Sequence, residues 1–387
     1  MLLIDKPYVS DLLIETIKKN RYPVVKTDAA LSLAPEISEN MLEKPAVIDV
    51  LTDNSPVYTN SENTIAWINE NLDHTSLPGH INTFKNKGLF RDMLHPMYPD
   101  YRYEKVKLSD LKNFDAETFG FPFILKPAVG FFSMGIYIVE NLHDWQVAQK
   151  ELDKELKQIE GVYPLEVMDG GLFLIEDLIK GDEYAVDAYF DKSGDPVILN
   201  IYEHIFTNKK DVSDRAYFTS EKVINKTHRK FEQVLQGIGE ATGLRNFPMH
   251  IELRITPDDR VIPIEANPLR FAGWCMTDMT KYAWGINPYE YFFNQQKPDW
   301  DTVFKGKTNK QYNVIIADIP RDVALSDIDY IDYKKFSARF SNLLHLHKTD
   351  FKKYPVFAFA FSETTQADRD EIDHFLHSNL MEYIVLK

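Results

Sequence analysis

His250-Ile251-Glu252-Leu253-Arg254, the turn Pro257-Asp258-Asp259-Arg260 and Ile262-Pro263-Ile264-Glu265-Ala266-Asn267-Pro268 are the residues on which the reading of this chain turns. Apolar and polar residues alternate on both sides of the turn, the pattern of a β-hairpin. Side chains two apart on a strand face the same way, so Glu265 and Asn267 project together, and cross-strand pairing can bring Glu252 to the same face. Two carboxylates and an amide then converge. Carboxylates held that close repel, and one is driven to protonate unless a divalent cation lies between them. An all-oxygen ligand set suits Mg²⁺ or Mn²⁺, and Mg²⁺ keeps waters or takes phosphate oxygens to complete its shell. The natural occupant is a nucleotide-bound metal. The same alternation also fits a hairpin whose acids line a wet face, so the flanking segments have to decide.

Upstream, Phe123-Ile124-Leu125-Lys126-Pro127 reads as an apolar strand closed by a lysine, followed by a loop with Gly130, Ser133 and Gly135 and by the strand Ile136-Tyr137-Ile138-Val139. A lysine there sets a compact positive charge against a phosphate while loop amides approach the same anion. The spacing is not that of a P-loop, in which the lysine ends the loop, and a plain hairpin with an edge lysine fits as well. A charged helix follows over residues 142–158. Leu172-Phe173-Leu174-Ile175-Glu176 is a further strand, leading into Asp177-Leu178-Ile179-Lys180-Gly181-Asp182-Glu183. Such a segment can read an adenine edge with backbone groups and take ribose hydroxyls on a carboxylate, or be a strand end and a turn. More strands run to Glu203, and a helix over residues 227–242 precedes the hairpin.

The first eighty residues alternate short strands (Val24-Val25 and residues 46–51) with helical stretches at residues 10–19 and 62–71. No glycine-rich turn joins strand to helix, so a dinucleotide site has no support. After a break at Leu77-Pro78-Gly79, residues 83–94 read as one basic amphipathic helix with Lys85, Lys87 and Arg91. Beyond residue 300 lies further α/β material with candidate strands at residues 314–319 and 356–361. The second of these suits packing or a homodimer surface.

Length and composition agree. The 387 residues, 44% hydrophobic and 13% aromatic, supply two or three cores and exclude wholesale disorder. Lys plus Arg number 44 against 59 Asp plus Glu, and the net charge of −15 repels nucleic acid. The single cysteine, Cys275, forms no internal disulfide or thiolate cluster, which fits a reducing compartment. No apolar run approaches the roughly 18 residues of a membrane span, and Asp5 and Lys6 interrupt the apolar start, unlike a secretion signal. A cytoplasmic protein with no membrane partner is expected.

In order along the chain, these segments resemble the ATP-grasp superfamily, most closely its carboxylate-amine ligases, over residues 84–275. The resemblance implies an α/β ATP-grasp fold with an N-terminal Rossmann-like domain at 1–83, a small ATP-grasp subdomain at 84–180, a large one with the metal site at 181–300, and a C-terminal appendage at 301–387. It implies ATP and Mg²⁺ (or Mn²⁺) as cofactors, and Glu252, Glu265 and Asn267 as metal ligands. Lys126 stands for the phosphate-binding lysine, Lys85 or Lys87 for the first phosphate lysine, and residues 130–135, including Ser133, for the mobile glycine-rich loop. Residues 176–183 stand for the hinge that grips the nucleotide, giving Glu176, Asp177, Leu178 near adenine and Glu183 near ribose. The implied reaction activates a small-molecule carboxylate as an acyl phosphate, releases ADP and joins the acyl group to an amine. The family often runs Asn-Pro-Arg after the second metal carboxylate, whereas here Leu269 intervenes before Arg270. A one-residue shift reverses a side chain along a strand, and Arg254 competes for the catalytic arginine's role.

Other polar residues carry weaker signals. Phe131 and Phe132 can seal the loop or pack on a neighbour. His204, Arg215 and His228 lie where substrate is expected, yet read more readily as structural groups, and Cys275 reads as a buried apolar residue. Two rival functions remain open: an ATP-binding regulator without turnover, and a biotin-carboxylase-like enzyme that phosphorylates bicarbonate.

Overall fold

The computed structural model describes residues 1–129, 135–159, 171–207, 214–365 and 370–387. Its N-terminal part is a parallel sheet of four two-residue strands, β1 (Leu2–Leu3), β2 (Val24–Val25), β3 (Met41–Leu42) and β4 (Tyr58–Thr59), in the order β3-β2-β1-β4. The helix Asp11–Asn20 follows β1, with Ser10 as its N-cap. The apolar run at residues 46–51 is not a strand. Pro45 starts the helix Lys44–Ile48 there, since proline suits a first helical turn, and only Val47 of that helix is fully buried.

Four antiparallel strands make a second sheet: β5 (Tyr103–Lys107), β6 (Phe123–Pro127), β7 (Tyr137–Val139) and β8 (Leu172–Asp177), ordered β5-β8-β6-β7. Its two faces differ. Phe123, Leu125, Phe173 and Ile175 pack against Trp145, Ala148 and Leu152 of the helix Leu142–Ile159. By strand alternation, Ile124, Lys126, Leu174 and Glu176 point the other way, with Ile124 opposite Glu176 and Lys126 opposite Leu174.

The third sheet has eight antiparallel strands. β9 (Asp182–Phe190), β10 (Pro196–His204), β11 (Ala216–Thr219), β12 (Phe247–Ile255), β13 (Val261–Pro268) and β14 (Lys310–Asp318) are joined by β16 (Leu343–Lys348) and β17 (Val356–Thr365), in the order β13-β12-β9-β10-β11-β14-β17-β16. A separate pair, β15 (Ile328–Ile331) and β18 (Ile384–Leu386), lies beside it. The sheet thus runs on across residue 300, and the C-terminal segment supplies three of its strands. The helix Glu221–Thr242 buries Val223, Ile224, Phe231, Leu235 and Ile238 in a core shared with Tyr184, Val186, Phe190, Phe247, Met249, Ile251 and Leu253 of β9 and β12. Each such side chain contributes roughly 1.5–3 kcal/mol on burial. With those residues committed to the helix, the alternate residues of β9 and β12, among them Glu183, Asp187, His250, Glu252 and Arg254, face away from it.

Candidate active site

Strand register puts the two hairpin acids face to face: Glu252 pairs with Glu265, and His250 with Asn267. Directly opposed residues have Cβ atoms roughly 5 Å apart. A bulge follows immediately, between Glu252 and Leu253, of the kind that re-aims side chains beside functional sites. Pro263 and Pro268 are tolerated because β13 is an edge strand of the sheet.

The two acids are electrostatically unlike. Burial, then Glu265, Glu183 and Asp214, push the Glu252 carboxyl well above its ordinary range. Glu265 is half-buried, and that burial alone would raise it, but Lys87, Lys85 and Lys126 hold it below that range. Lys87 Nζ lies 3.1 Å from Glu265 Oε2, while among the described residues Glu252 has no hydrogen-bond or ion-pair partner. Without further positive charge the pair carries one proton and one negative charge. Two carboxylates and the Asn267 amide oxygen fit a hard divalent cation that completes its shell with water or phosphate oxygens. No group of three or more His, Cys, Asp and Glu side chains is placed to hold a metal among the described residues.

Both candidate phosphate lysines reach this hairpin. In a continuous helix Lys85 and Lys87 would point about 200° apart. The expected single helix is instead two, Leu77–Lys85 and Lys87–Leu94, broken at Asn86, whose side chain caps the second by accepting from the amides of Gly88 and Leu89 at 3.0 and 3.1 Å. The break lets Lys87 reach Glu265 while Lys85 Nζ lies 3.4 Å from Asn267 Oδ1 and 2.6 Å from Glu62 Oε2. Leu77-Pro78-Gly79 is correspondingly a helix start and not an interruption.

Lys126, from the facing sheet, is 4% exposed and ion-paired with Glu176 at 2.5 Å. Glu176 also takes a two-pronged contact from Arg91, at 2.5 and 3.2 Å, and Arg91 Nη1 donates to the carbonyl of Pro263 in β13 at 2.6 Å. Burial would raise Glu176, but Arg91 and Lys126 bring it down to about 2, and burial lowers Lys126 against the pull of Glu176. Arg91 therefore links the small sheet to the hairpin. Sequence reading placed it on the helix but gave it no role. Its partner lies 85 residues away.

The hinge residues separate into different settings. Asp177 turns to Arg102 at 2.6 Å, Leu178 is half-buried, and Glu183 accepts from Arg254 Nη2 at 2.6 Å and lies 3.2 Å from His204 Nδ1. Arg254 also donates to the carbonyl of Ile179, so it belongs to the hinge and not to the end of the hairpin. Gly181 is required there: with φ at +138°, a Cβ would lie 2.0 Å from the Ile255 carbonyl oxygen. A cavity of about 260 Å³ opens beside Glu183 and His204. A larger one, about 540 Å³, is lined by Lys105, Asp110, Phe114 and Thr118, away from the carboxylates, and has no charge arrangement like theirs.

Arg270 is brought to the hairpin's end by a backbone device. The strand stops at Pro268, and Leu269 adopts φ +61°, buried, with its amide donating to Pro248 and its carbonyl accepting from Thr59 at 2.7 Å. The alternation that would have turned Arg270 away no longer applies, and its guanidinium meets Glu62 Oε1 at 2.8 Å, beside Lys85. Arg215 pairs with Asp318, His228 lies edge-on to Trp300, and Cys275 is buried, with burial pushing its thiol up. Ser133, Phe131, Phe132 and Gly130 lie outside the described residues.

Residues 119–278 match the family described as ATP-grasp domain. The whole chain has the fold of an L-amino acid ligase from Bacillus licheniformis, with a TM-score of 0.67 at 16% identity over 100% of this chain and 98% of that one. It is likewise similar to N5-carboxyaminoimidazole ribonucleotide synthetase from Thermotoga maritima (TM-score 0.63, 14% identity, 99% and 98% of the two chains). An ATP complex of biotin carboxylase from Campylobacter jejuni gives a TM-score of 0.62 at 13% identity over 94% and 87%. No curated protein sequence matches the chain. Among the described residues no helix is long and apolar enough to cross a membrane.

Proposed function

We propose that the protein is an ATP-dependent ligase that activates a carboxylate as an acyl phosphate, releases ADP and transfers the acyl group to an amine or similar nucleophile. The observation that carries this reading is the opposed Glu252–Glu265 pair, with Lys87 on one acid and, among the described residues, no hydrogen-bond or ion-pair partner on the other. Glu252, Glu265 and Asn267 would hold Mg²⁺ or Mn²⁺, which when bound neutralises charge on the phosphates. Lys126, Lys85 and Lys87 add positive charge around the same tail. Leu178 and Asp177 are assigned to the adenine side and Glu183 to the ribose. Arg270 is assigned to the acyl phosphate.

Phosphoryl transfer needs alignment and charge neutralisation more than a protein nucleophile. A carboxylate oxygen attacks the γ-phosphorus as the bond to the β-bridging oxygen breaks and ADP leaves. The amine lone pair then attacks the acyl carbon, phosphate departs and the amine proton passes to solvent. The neighbours lend support by their descriptions, an L-amino acid ligase and ATP- or Mg-ADP-bound biotin carboxylases among them.

Release of ADP from MgATP across a panel of amino acids, other carboxylates and amines, followed by product mass, tests the reading. One ADP per new amide is expected. Tight MgATP binding with silence across the panel would favour a regulator, and turnover that needs bicarbonate would favour a carboxylase.

A further inference from the structure

Glu62 belongs to a part of the chain in which the sequence showed no chemistry, yet its carboxylate bridges two cations of the site. Oε1 accepts from Arg270 at 2.8 and 3.3 Å, and Oε2 from Lys85 at 2.6 Å. Lys85 in turn reaches Asn267 Oδ1 at 3.4 Å. All three charged side chains are 15–19% exposed. Burial works against the Glu62 charge, but Arg270 and Lys85 hold its carboxyl down to about 2, so it stays ionised across the neutral range.

Its backbone is fixed from several sides. The Ser61 hydroxyl accepts from the Asn63 amide at 3.2 Å, and Thr64 Oγ1 donates to the Ser61 carbonyl at 2.8 Å. Asn60 holds the carbonyls of Asp5 and Tyr8, each at 2.7 Å, and Asn63 that of Lys6 at 2.9 Å. Thr59 ties the same turn to Leu269, immediately before Arg270. A rigid turn therefore presents one anion to two long, flexible cations that point toward the hairpin.

We infer that Glu62 is a positioning residue of the ligase site: it holds Lys85 and Arg270 in register with Asn267, so that the N-terminal domain sets where the phosphate and acyl-phosphate oxygens are received. The inference rests on the ligase reading above. It differs from a plain domain tie, which would affect stability alone, and from a built-in competitor, which a nucleotide would have to displace.

The test is a double-mutant cycle on MgATP affinity by titration calorimetry, with melting temperature followed in parallel. Glu62→Gln should weaken MgATP about tenfold and Glu62→Asp less, while in a Lys85→Gln background Glu62→Gln should add little, because coupled neighbours are non-additive. Unchanged affinity in Glu62→Gln, or equal losses in both backgrounds, would reduce Glu62 to a structural tie and overturn the inference. Tighter binding in Glu62→Gln would overturn it in favour of the competitor. Should Glu62→Gln fail to fold, Glu62→Asp in the two backgrounds carries the same comparison. A wild-type protein that binds no MgATP would sink the nucleotide reading and this inference together, whereas wild-type binding with an indifferent variant sinks the inference alone.

Discussion

Glu176, buried, and Glu252, half-buried, are carboxylates on the sheets that bracket the site, and they are handled in opposite ways. Glu176 has Arg91 on one side and Lys126 on the other, and its proton leaves at about pH 2. Glu252 faces Glu265 across the hairpin, has no hydrogen-bond or ion-pair partner among the described residues, and has its proton held on well above the ordinary range. A buried anion with two cations in contact is complete within the protein, and its work is structural: it fixes Lys126. A half-buried acid set opposite another acid lacks that compensation, and under the proposed function positive charge from a bound cation would supply it. The contrast separates a carboxylate compensated within the protein from the one proposed to bind a cation, a distinction that residue type alone does not make.

The largest expected effect falls on the incomplete pair. Glu265→Gln should remove Mg²⁺-dependent ATP turnover, a loss of more than about 10³-fold, because a neutral amide is a poor substitute for a carboxylate on a hard dication. Stability should change by less than about 1 kcal/mol, since the substitution also relieves the repulsion with Glu252. Near-normal turnover would overturn the metal assignment. Glu176→Gln should do the reverse. Breaking a buried ion network strands its remaining charges, and a loss of roughly 3–5 kcal/mol in chemical-denaturation stability is expected. A stable Glu176→Gln protein with abolished turnover would erase the distinction drawn between the two acids.

Which of these acids could be read from the sequence follows from the range of the interactions. The hairpin pair was legible because strand periodicity and a short turn are local, and the register then follows. Lys126 was legible as a charge closing an apolar strand. Glu62 was not: the periodicity over residues 62–71 marks an apolar face and says nothing of a charge at its first residue, which sits in the short 3-10 turn Glu62–Thr64, and its partner Arg270 is 208 residues away. Arg91 looked like any cation on an amphipathic helix until folding set it against Glu176. Alternation counted against Arg270 as a candidate, but that argument holds only while the strand continues, and Leu269 ends it with a left-handed turn. The run at residues 46–51 had the apolar content of a strand, but Pro45 decided for helix. The sheet's continuation past residue 300 rests on non-local pairing of β11 with β14, which no sequence window contains.

Asp278 offers a third setting for a buried acid, and the smallest of the expected effects. Its Oδ1 accepts from the hydroxyls of Ser10 and Tyr289, at 3.2 and 3.1 Å, with no cation in contact among the described residues. Burial outweighs those two hydrogen bonds and, with Asp11 nearby, raises its carboxyl from 3.8 to about 7. The sign of its stability term is therefore opposite to that of Glu176. From about pH 4 to pH 7 the folded protein holds a proton on Asp278 that the unfolded chain has released, so this contribution is complete below about pH 4 and is lost as pH rises toward 7. Glu176, lowered to about 2, contributes stability that is present above its unfolded value near 4.5 and lost as pH falls toward 2. Asp278→Asn keeps an acceptor for both hydroxyls while removing the titration. Between pH 5 and pH 7 the unfolding free energy of the wild type should fall relative to that of Asp278→Asn by an amount on the order of 2–3 kcal/mol, so the pH slope should differ between the two. An unchanged slope in the variant would mean that hydroxyl donors keep Asp278 ionised. Neutral partners and charged ones would then be equivalent for a buried acid, and the lack of a cation at Glu252 would no longer mark it as a site.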